Sequence, residues 1–375
     1  MAWFRWSLAA ITCSTALMIA GCSTPPRPST PPAPTPPPLS YPALDGSSRW
    51  VAANWADLPG FADDDISQAW SAWVYSCTRP LAAFASLCPQ IRALTIADSS
   101  TQRAWLQAHL QPYRVENTKG DVRGLLTSYY EPVFQGQRQP GGRFVYPLYG
   151  TPIGWSARSA WYTRQEADTL PQAQAALRGR AIAYLDNPVD PLVLQVQGSC
   201  QLRLQEADGS SRMVRLAYAG TNQQPYQSVS RWLAANTALR NYSWAAIKVW
   251  AQDNPAQVAS MGWSNPRMVF FKEEALPAGA ADGPRGAQGV PLTAGRSIAV
   301  DPGSIPYGSP VWLSSSGASE IYRLVLAQDT GSAIRGAVRA DFYAGSGPEA
   351  GEYANRIKQA LLLWVLWPKS AALPQ

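Results

Sequence analysis

Two stretches near the start of the folded chain place their apolar residues at helical spacing. Over 62–77, the residues Ile66, Trp70, Trp73 and Cys77 recur every three or four positions, and three aspartates precede them at the electropositive helix start. A second helix is predicted from about residue 100 to 110, with the chain's single histidine, His109, beside Trp105 and Leu106. A lone histidine on an apolar helix face indicates a packed core residue, because a metal site needs several ligands.

From Gly124 onward the pattern changes to alternation, which is typical of strands. We predict strands in "GLLTSYYEPVFQG", "PLVLQVQ", "CQLRLQE" and "SRMVRLAY", with "ADGS" as the hairpin turn between the last two. Helices are predicted over 226–236 and 242–252. Beyond Pro266, six further strand segments follow, namely "RMVFFKE", "PLTAGRSIAV", "PVWLSS", "YRLVLAQD", "RADFYAG" and "ALLLWVLW". Strands at such short intervals, separated by Gly and Pro turns, favour a barrel.

The N-terminus reads as a targeting segment. Arg5 and the short apolar run "LAAITCSTALMIA" are typical of a signal peptide, here residues 1–21, and the run is too short to span a bilayer. "IAGC", ending at Cys22, resembles the bacterial lipoprotein box, which implies a lipidated cysteine; an ordinary secretory signal is the alternative. We expect lipid anchoring at the periplasmic face of the outer membrane.

The segment after Cys22 is dominated by proline. Residues 24–38 contain nine prolines in fifteen positions, so this stretch of the linker 22–40 is predicted to form a polyproline spacer of roughly 45 Å, at ~3.1 Å per residue. It is a passive linker, a stalk that carries the domain away from the membrane, or both. Cys77 and Cys88 are candidates for a disulfide in an oxidising periplasm, although sequence does not fix the pairing, and Cys200 would then be a buried free thiol.

Composition excludes several kinds of chemistry. The net charge of +6 is spread without a basic run, which argues against nucleic-acid binding. One histidine among 375 residues leaves no Ser-His-Asp or multi-histidine zinc enzyme. No lysine follows a serine by three positions, and "GSGPEAG" at 345–351 lacks phosphate-loop spacing and reads as a plain turn. We expect no cofactor and no metal.

Carboxylate chemistry remains, and three aspartates before Gly-rich turns are the candidates. Asp329 and Asp341 lie twelve residues apart in "DTGSAIRGAVRADFYAG", and Asp301 begins "DPGSIPYG". A buried carboxyl group, or one near another carboxylate, keeps its proton at neutral pH and can protonate a glycosidic oxygen. The alternative is that these aspartates only cap turns.

Five blocks resemble a known family. "LTSYYEPVFQG", "LQVQGSC", "YAGTNQQPYQS", "VDPGSIPYGSPVWL" and "AQDTGSAIRGAVRADFYAGSGPEAG" are similar to the MltA family of lytic murein transglycosylases, and the C-terminal part resembles the 3D domain, at about 290–368. The resemblance implies a mainly β fold: a double-psi β-barrel from 41–131 plus 265–375, with a β-rich domain inserted at 132–264. A groove between them would take a glycan strand.

The resemblance also implies roles for individual residues. Asp341 matches the catalytic aspartate, Asp329 a catalytic partner and Asp301 a supporting residue. The remaining matches imply substrate contacts by Thr127, Ser128, Tyr129, Gln197, Gly198, Ser199 and Tyr343. The implied reaction protonates the MurNAc–GlcNAc oxygen from Asp341, after which the 6-hydroxyl of the same MurNAc closes a 1,6-anhydro ring.

Three positions depart from the family pattern. Ser128, Ser332 and Cys200 stand where glycine is usual, and a left-handed backbone there would be strained. A hydrolase with Asp329 and Asp341 as a pair, and a non-catalytic glycan-binding lipoprotein, stay open as alternatives. We expect a monomer whose partners are peptidoglycan strands and the outer membrane, with other cell-wall enzymes as further candidates.

Overall fold

The structure is a computed structural model that describes residues 46–276 and 283–374, together with residue 1. Cys22, the proline-rich segment and nearly all of the predicted signal peptide lie outside the described residues. Where the chain is described, it contains these strands: β1 Ser48–Ala52, β2 Leu110–Asn117, β3 Gly124–Glu131, β4 Val133–Gln137, β5 Tyr146–Tyr149, β6 Ala181–Leu185, β7 Cys200–Gln205, β8 Ser211–Thr221, β9 Val269–Ala275, β10 Ser297–Val300, β11 Pro310–Ser316, β12 Ile321–Asp329, β13 Arg339–Ser346 and β14 Lys358–Pro368.

Helices connect and cover these strands. The α-helices are α1 Ser67–Ser76, α2 Cys88–Ala93, α3 Ser99–His109, α4 Arg164–Thr169, α5 Pro171–Leu177, α6 Asp190–Gln197, α7 Val229–Asn236, α8 Trp244–Asp253, α9 Val258–Trp263 and α10 Pro348–Arg356. Short 3₁₀ helices occupy Trp55–Asp57, Ala82–Leu87, Leu94–Ile96 and Pro255–Gln257.

The first sheet closes into a ring. Its order is β14, β11, β12, β10, β13 and β3, and β3 closes the ring by pairing with β13 in parallel and with β14 in antiparallel fashion. Closure is possible because β14 is long: its first residues pair with β3 and its last with β2, which carries β1 outside the ring. The mainly β prediction is confirmed, and the double-psi crossing stays a prediction.

Helix α1 packs on the barrel and explains the first helical pattern. Ile66, Trp70 and Trp73 are buried at 1% exposure or less. The helix begins at Ser67 instead of residue 62, so the predicted start is wrong. The reason is Asp64, which accepts from both terminal nitrogens of buried Arg296 at 2.8 Å and from the Leu324 amide at 3.0 Å. The acidic run therefore anchors the turn before the helix.

The cysteines outside the N-terminal region have two fates. Cys77, at the end of α1, forms a disulfide with Cys88, at the start of α2. Cys200 is a fully buried free thiol, and burial raises its pKa well above the ordinary range.

The second sheet has the order β5, β6, β4, β7, β8 and β9. Strands β7 and β8 form the predicted hairpin, with Gly209 in the turn at φ +84°. Their inward residues Leu202, Leu204 and Leu216 are fully buried. This sheet joins the barrel through β3 and β4, which Pro132 separates.

Two segments were predicted wrongly. "PLVLQVQ" is helix α6, not a strand: Pro191 lies in its first turn and Gly198 ends it at φ +84°. Leu192 and Val193 pack against α7 and α8, and Leu194 packs on the second sheet. "GSGPEAG" leads into helix α10, with Pro348 in the first turn. In both cases proline at a helix start outweighed the local pattern.

Candidate active site

Strand register places the two candidate aspartates on one level of the barrel. Ala299 of β10 pairs with Asp329 of β12 on one side and with Asp341 of β13 on the other. Asp341 pairs in turn with Thr127 of β3. Residues opposite one another in a sheet point to the same face, so these side chains share a face. Their backbones are about 10 Å apart, two strand spacings.

Asp341 has the properties of an acid. Its Oδ1 accepts a hydrogen bond from Thr127 Oγ1 at 2.5 Å. Its Oδ2 accepts none from the described residues. The side chain is set among protein atoms but keeps part of its surface accessible. Burial raises the pKa of Asp341 to about 6; the Thr127 hydrogen bond and the Arg339 charge oppose this rise, and the Asp329 charge adds to it.

Asp329 is held as an acceptor. Its Oδ2 accepts from Tyr129 Oη at 2.7 Å, and its Oδ1 from the Ala287 amide at 2.9 Å. Burial raises its pKa, while these donors lower it. Gly286 permits the Ala287 contact, since a Cβ there would lie 2.5 Å from the Gln328 carbonyl oxygen. Sequence reasoning missed Ala287, whose backbone amide carries no sequence signal.

Asp301 is placed as a turn residue. Its Oδ1 accepts from the Gly303 amide at 3.2 Å and its Oδ2 from the Gly336 amide at 2.8 Å. The Arg335 guanidinium lies 3.6 Å from Oδ1. Asp301 therefore ties its own turn to the loop between β12 and β13, and its supporting role in the site stays a prediction.

Tyrosines line and support the site. Tyr129 keeps partial exposure, and burial, together with the Asp329 charge, raises its pKa, so its hydroxyl stays protonated and donates. Tyr343 packs behind it with ring centroids 5.3 Å apart. Tyr343 is only 1% exposed and has no surface for a sugar, so the expected direct substrate contact is wrong. Ser128 donates to the Phe342 carbonyl at 2.7 Å.

The end of helix α6 contacts β3. Gln197 Oε1 accepts from the Tyr130 amide at 3.0 Å, so Gln197 lies beside the strand that carries Thr127. Gly198 ends the helix in a left-handed conformation and Ser199 is 6% exposed. Of these three, Gln197 and Gly198 offer accessible atoms to a ligand.

Sequence reasoning also missed Glu131. Glu131 is fully buried at the end of β3 and binds Arg215 of β8 through two contacts, at 2.6 and 3.1 Å. It also accepts from Gln201 at 3.0 Å and from Ser346 at 2.8 Å. The available signal was the alternation of Thr127, Tyr129 and Glu131, which lie on one face of β3. These residues hydrogen-bond to Asp341, Asp329 and Arg215, in that order.

His109 takes no part in this site. It stacks on Trp105 at 4.5 Å, and its Nδ1 lies 2.9 Å from the Trp105 carbonyl oxygen. Within the described ranges, no group of three or more His, Cys, Asp or Glu side chains is arranged to hold a metal ion.

Comparison with known proteins decides the family. The chain matches the MltA specific insert domain over residues 125–272 and the 3D domain over residues 296–367. It is 33% identical over 263 residues to the membrane-bound lytic murein transglycosylase A of Vibrio cholerae, an alignment that covers 66% of this chain and 67% of that one. The chain belongs to the MltA family.

Solved structures agree with this assignment. The lytic transglycosylase LtgG of Burkholderia pseudomallei is 37% identical with a TM-score of 0.59, over 89% of this chain and 99% of that one. MltA from Neisseria gonorrhoeae is 26% identical with a TM-score of 0.73, over 90% and 98%. The MltA insert match begins at residue 125, inside β3, so a barrel strand is included in the insert sequence.

The departures from the MltA pattern cause no backbone strain. Among the non-glycine residues in the described part of the chain, only Gln223 has a positive φ. Ser128, Ser332 and Cys200 therefore have conformations that any L-residue adopts.

Proposed function

We propose that this protein is a lytic transglycosylase that cleaves the MurNAc–GlcNAc β-1,4 bond of peptidoglycan and leaves a 1,6-anhydro-MurNAc end. The observation that carries the proposal is Asp341, an accessible carboxyl group whose pKa is raised to about 6. Relatives of the protein in the MltA family are named lytic murein transglycosylases, which supports peptidoglycan as the substrate.

The raised pKa supplies the proton. At pH 7 about one Asp341 in ten is protonated, compared with on the order of one in a thousand for an ordinary aspartate. The neutral carboxyl donates its proton to the glycosidic oxygen as the bond from that oxygen to C1 of MurNAc breaks. The GlcNAc hydroxyl leaves, and Asp341 becomes a carboxylate.

The same carboxylate completes the reaction. The 6-hydroxyl oxygen of that MurNAc bonds to its own C1, and Asp341 accepts the hydroxyl proton. Both bonds change within one sugar, which removes the entropy cost of bringing in a second reactant. Thr127 holds Oδ1 of Asp341, so Oδ2 is the oxygen directed to the substrate.

Asp329 stabilises charge. Hydrogen bonds engage both of its oxygens, and its charge helps to raise the pKa of Asp341. A negative charge near C1 also favours the positive charge that develops there. The glycan would lie over Asp341, with Tyr129 and Gln197 along its path.

The test compares Asp341→Asn with Asp63→Asn, an exposed control that removes the same charge from the same barrel unit. Asp341→Asn should still bind glycan strands but release no anhydro sugars, whereas Asp63→Asn should match the wild type. An Asp341→Asn protein that still releases anhydro sugars would refute the assignment.

The two alternatives give different results. A hydrolase with Asp329 and Asp341 as a pair would produce reducing ends, one water heavier than anhydro ends in a mass spectrum. A non-catalytic glycan-binding protein would leave the turbidity of purified peptidoglycan unchanged.

We also propose that Cys22 anchors the protein by lipid to the outer membrane, facing the periplasm. The named relatives are membrane-bound, and among the described residues no helix has the length and apolar character needed to cross a bilayer. Cys22→Ser should move the protein from the membrane fraction to the soluble fraction; retention in the membrane would contradict the lipid anchor.

A further inference from the structure

A second concave site lies among the helices that follow β5. Its volume is about 560 Å³, within the usual range of ligand pockets, roughly 300–1,000 Å³. Helix α4, the start of α6 and the α8–α9 region form its walls. Its chemically distinctive lining residues are Tyr146, Arg164, Asp168, Asp186, Leu192 and Trp263. None of them belongs to the Asp341 site.

Arg164 is a buried cation in this wall. It is 8% exposed, and it donates to the carbonyls of Asn265 at 3.1 Å and Arg267 at 2.5 Å and to Gln195 Oε1 at 2.5 Å. All these acceptors are uncharged, and no described residue forms an ion pair with Arg164. Burial lowers its pKa to about 10, and the nearby charge of Asp168 opposes this fall. A buried cation that no carboxylate of a described residue contacts directly favours an anionic ligand group.

The other polar residues carry the opposite charge. Asp168 is exposed, and its Oδ2 accepts from Trp263 Nε1 at 2.8 Å. Asp186 is partly buried, with Arg143 3.2 Å from one oxygen. Carboxylates beside the aromatic rings of Trp263 and Tyr146 form an environment that favours an ammonium group.

We propose that this cavity, the peptide pocket, binds the zwitterionic side-chain end of a diaminopimelate residue in a peptide attached to the glycan, with its carboxylate at Arg164 and its ammonium at Asp168 and Asp186. The proposal rests on the proposed function, because peptidoglycan carries short peptides on its MurNAc residues. The prolines, Leu192 and the aromatic rings would enclose the aliphatic part of that residue.

Helix α6 sets the distance between the two sites. Its first residues line the peptide pocket, and its last, Gln197, contacts β3 beside the Asp341 site. Eight helical residues span about 12 Å. An extended peptide covers about 3.3 Å per residue, so four residues are enough to connect a sugar near Asp341 with the pocket.

The first test is calorimetric binding of a stem tetrapeptide that is acetylated at its N-terminus and has diaminopimelate as its third residue, compared with the same peptide acetylated also on the side-chain amine of that residue. No glycosidic bond is present, so turnover does not interfere. We expect the free-amine peptide to bind, and both acetylation and Asp168→Asn to weaken binding about tenfold. The Asn retains the acceptor for Trp263, and Asp63→Asn should bind like the wild type.

Arg164→Lys tests the carboxylate contact, with the melting temperature recorded to identify any loss of folding. A folded Arg164→Lys protein should bind the peptide with a free diaminopimelate carboxylate more weakly than the wild type does. It should bind the peptide with that carboxylate amidated as well as the wild type does. No binding at millimolar peptide, or equal weakening by Asp168→Asn and Asp63→Asn, would overturn the proposal.

Turnover separates this inference from the proposed function. Asp168→Asn should raise KM on peptide-bearing strands and leave kcat/KM on peptide-free strands unchanged. If the wild type and Asp168→Asn both cleave peptide-bearing and peptide-free strands at equal rates, the peptide pocket is refuted and the proposed function is not affected. A wild-type protein that cleaves neither substrate would refute the proposed function, and the calorimetric result would still stand.

Discussion

Replacing Asp341 by Asn is expected to stabilise the folded protein at neutral pH while it abolishes cleavage. The folded-state pKa of about 6 exceeds the ordinary value of 3.8, so the native protein holds this proton more tightly than the unfolded chain does. The carboxylate therefore carries a stability cost that grows as the pH rises from about 4 and is complete above about pH 6. At about 1.4 kcal/mol per pH unit, the difference corresponds to at most about 3 kcal/mol.

The variant removes this cost without removing the hydrogen bond, because the Asn oxygen can still accept from Thr127. Denaturant unfolding of both proteins from pH 4 to pH 8 is the assay. We expect the Asn variant to exceed the wild type in unfolding free energy by 1–3 kcal/mol (an order-of-magnitude range) at pH 7.5, with the gain vanishing near pH 4, where the wild-type carboxyl is protonated. A gain independent of pH, or a less stable variant, would refute the reasoning.

Three further changes act on the groups around Asp341. Asp329→Asn removes a charge that raises the Asp341 pKa, so activity should decrease and the fall of kcat/KM with rising pH should move to lower pH; an unchanged profile would indicate a structural role. Thr127→Val removes a hydrogen bond that lowers this pKa, so the same fall should move to higher pH; movement in the same direction as for Asp329→Asn would contradict the account. Glu131→Gln removes the negative charge that pairs with buried Arg215 and should cost about 3–5 kcal/mol of unfolding free energy, which Glu131→Gln with Arg215→Met should largely restore; a single variant as stable as the wild type would show that the pair is dispensable.

The sequence predicted the kind of fold and singled out the candidate aspartates, but not their spatial relation. Alternation marks β12 and β13 as strands, yet only the pairing of both with Ala299 places Asp329 and Asp341 on one level. Register depends on contacts between segments that are distant in sequence, which local pattern does not encode.

Tertiary contacts also decided the cases that failed. Tyr343 matches a family motif, but its position behind Tyr129 buries it. The apolar residues of α6 suit a strand as well as a helix, and packing against α7 and α8 selects the helix. Glu131 gains its role only when β8 of the second sheet brings Arg215 to it.

The most direct test of the account is the origin of the oxygen at the cleaved sugar end. Peptidoglycan digested by the wild-type protein in water enriched in heavy oxygen should yield anhydro-MurNAc ends without the label, because the 6-hydroxyl of the sugar supplies the attacking oxygen. Reducing ends that carry heavy oxygen at C1 would show that water attacks, and would contradict a single carboxyl group acting within one sugar.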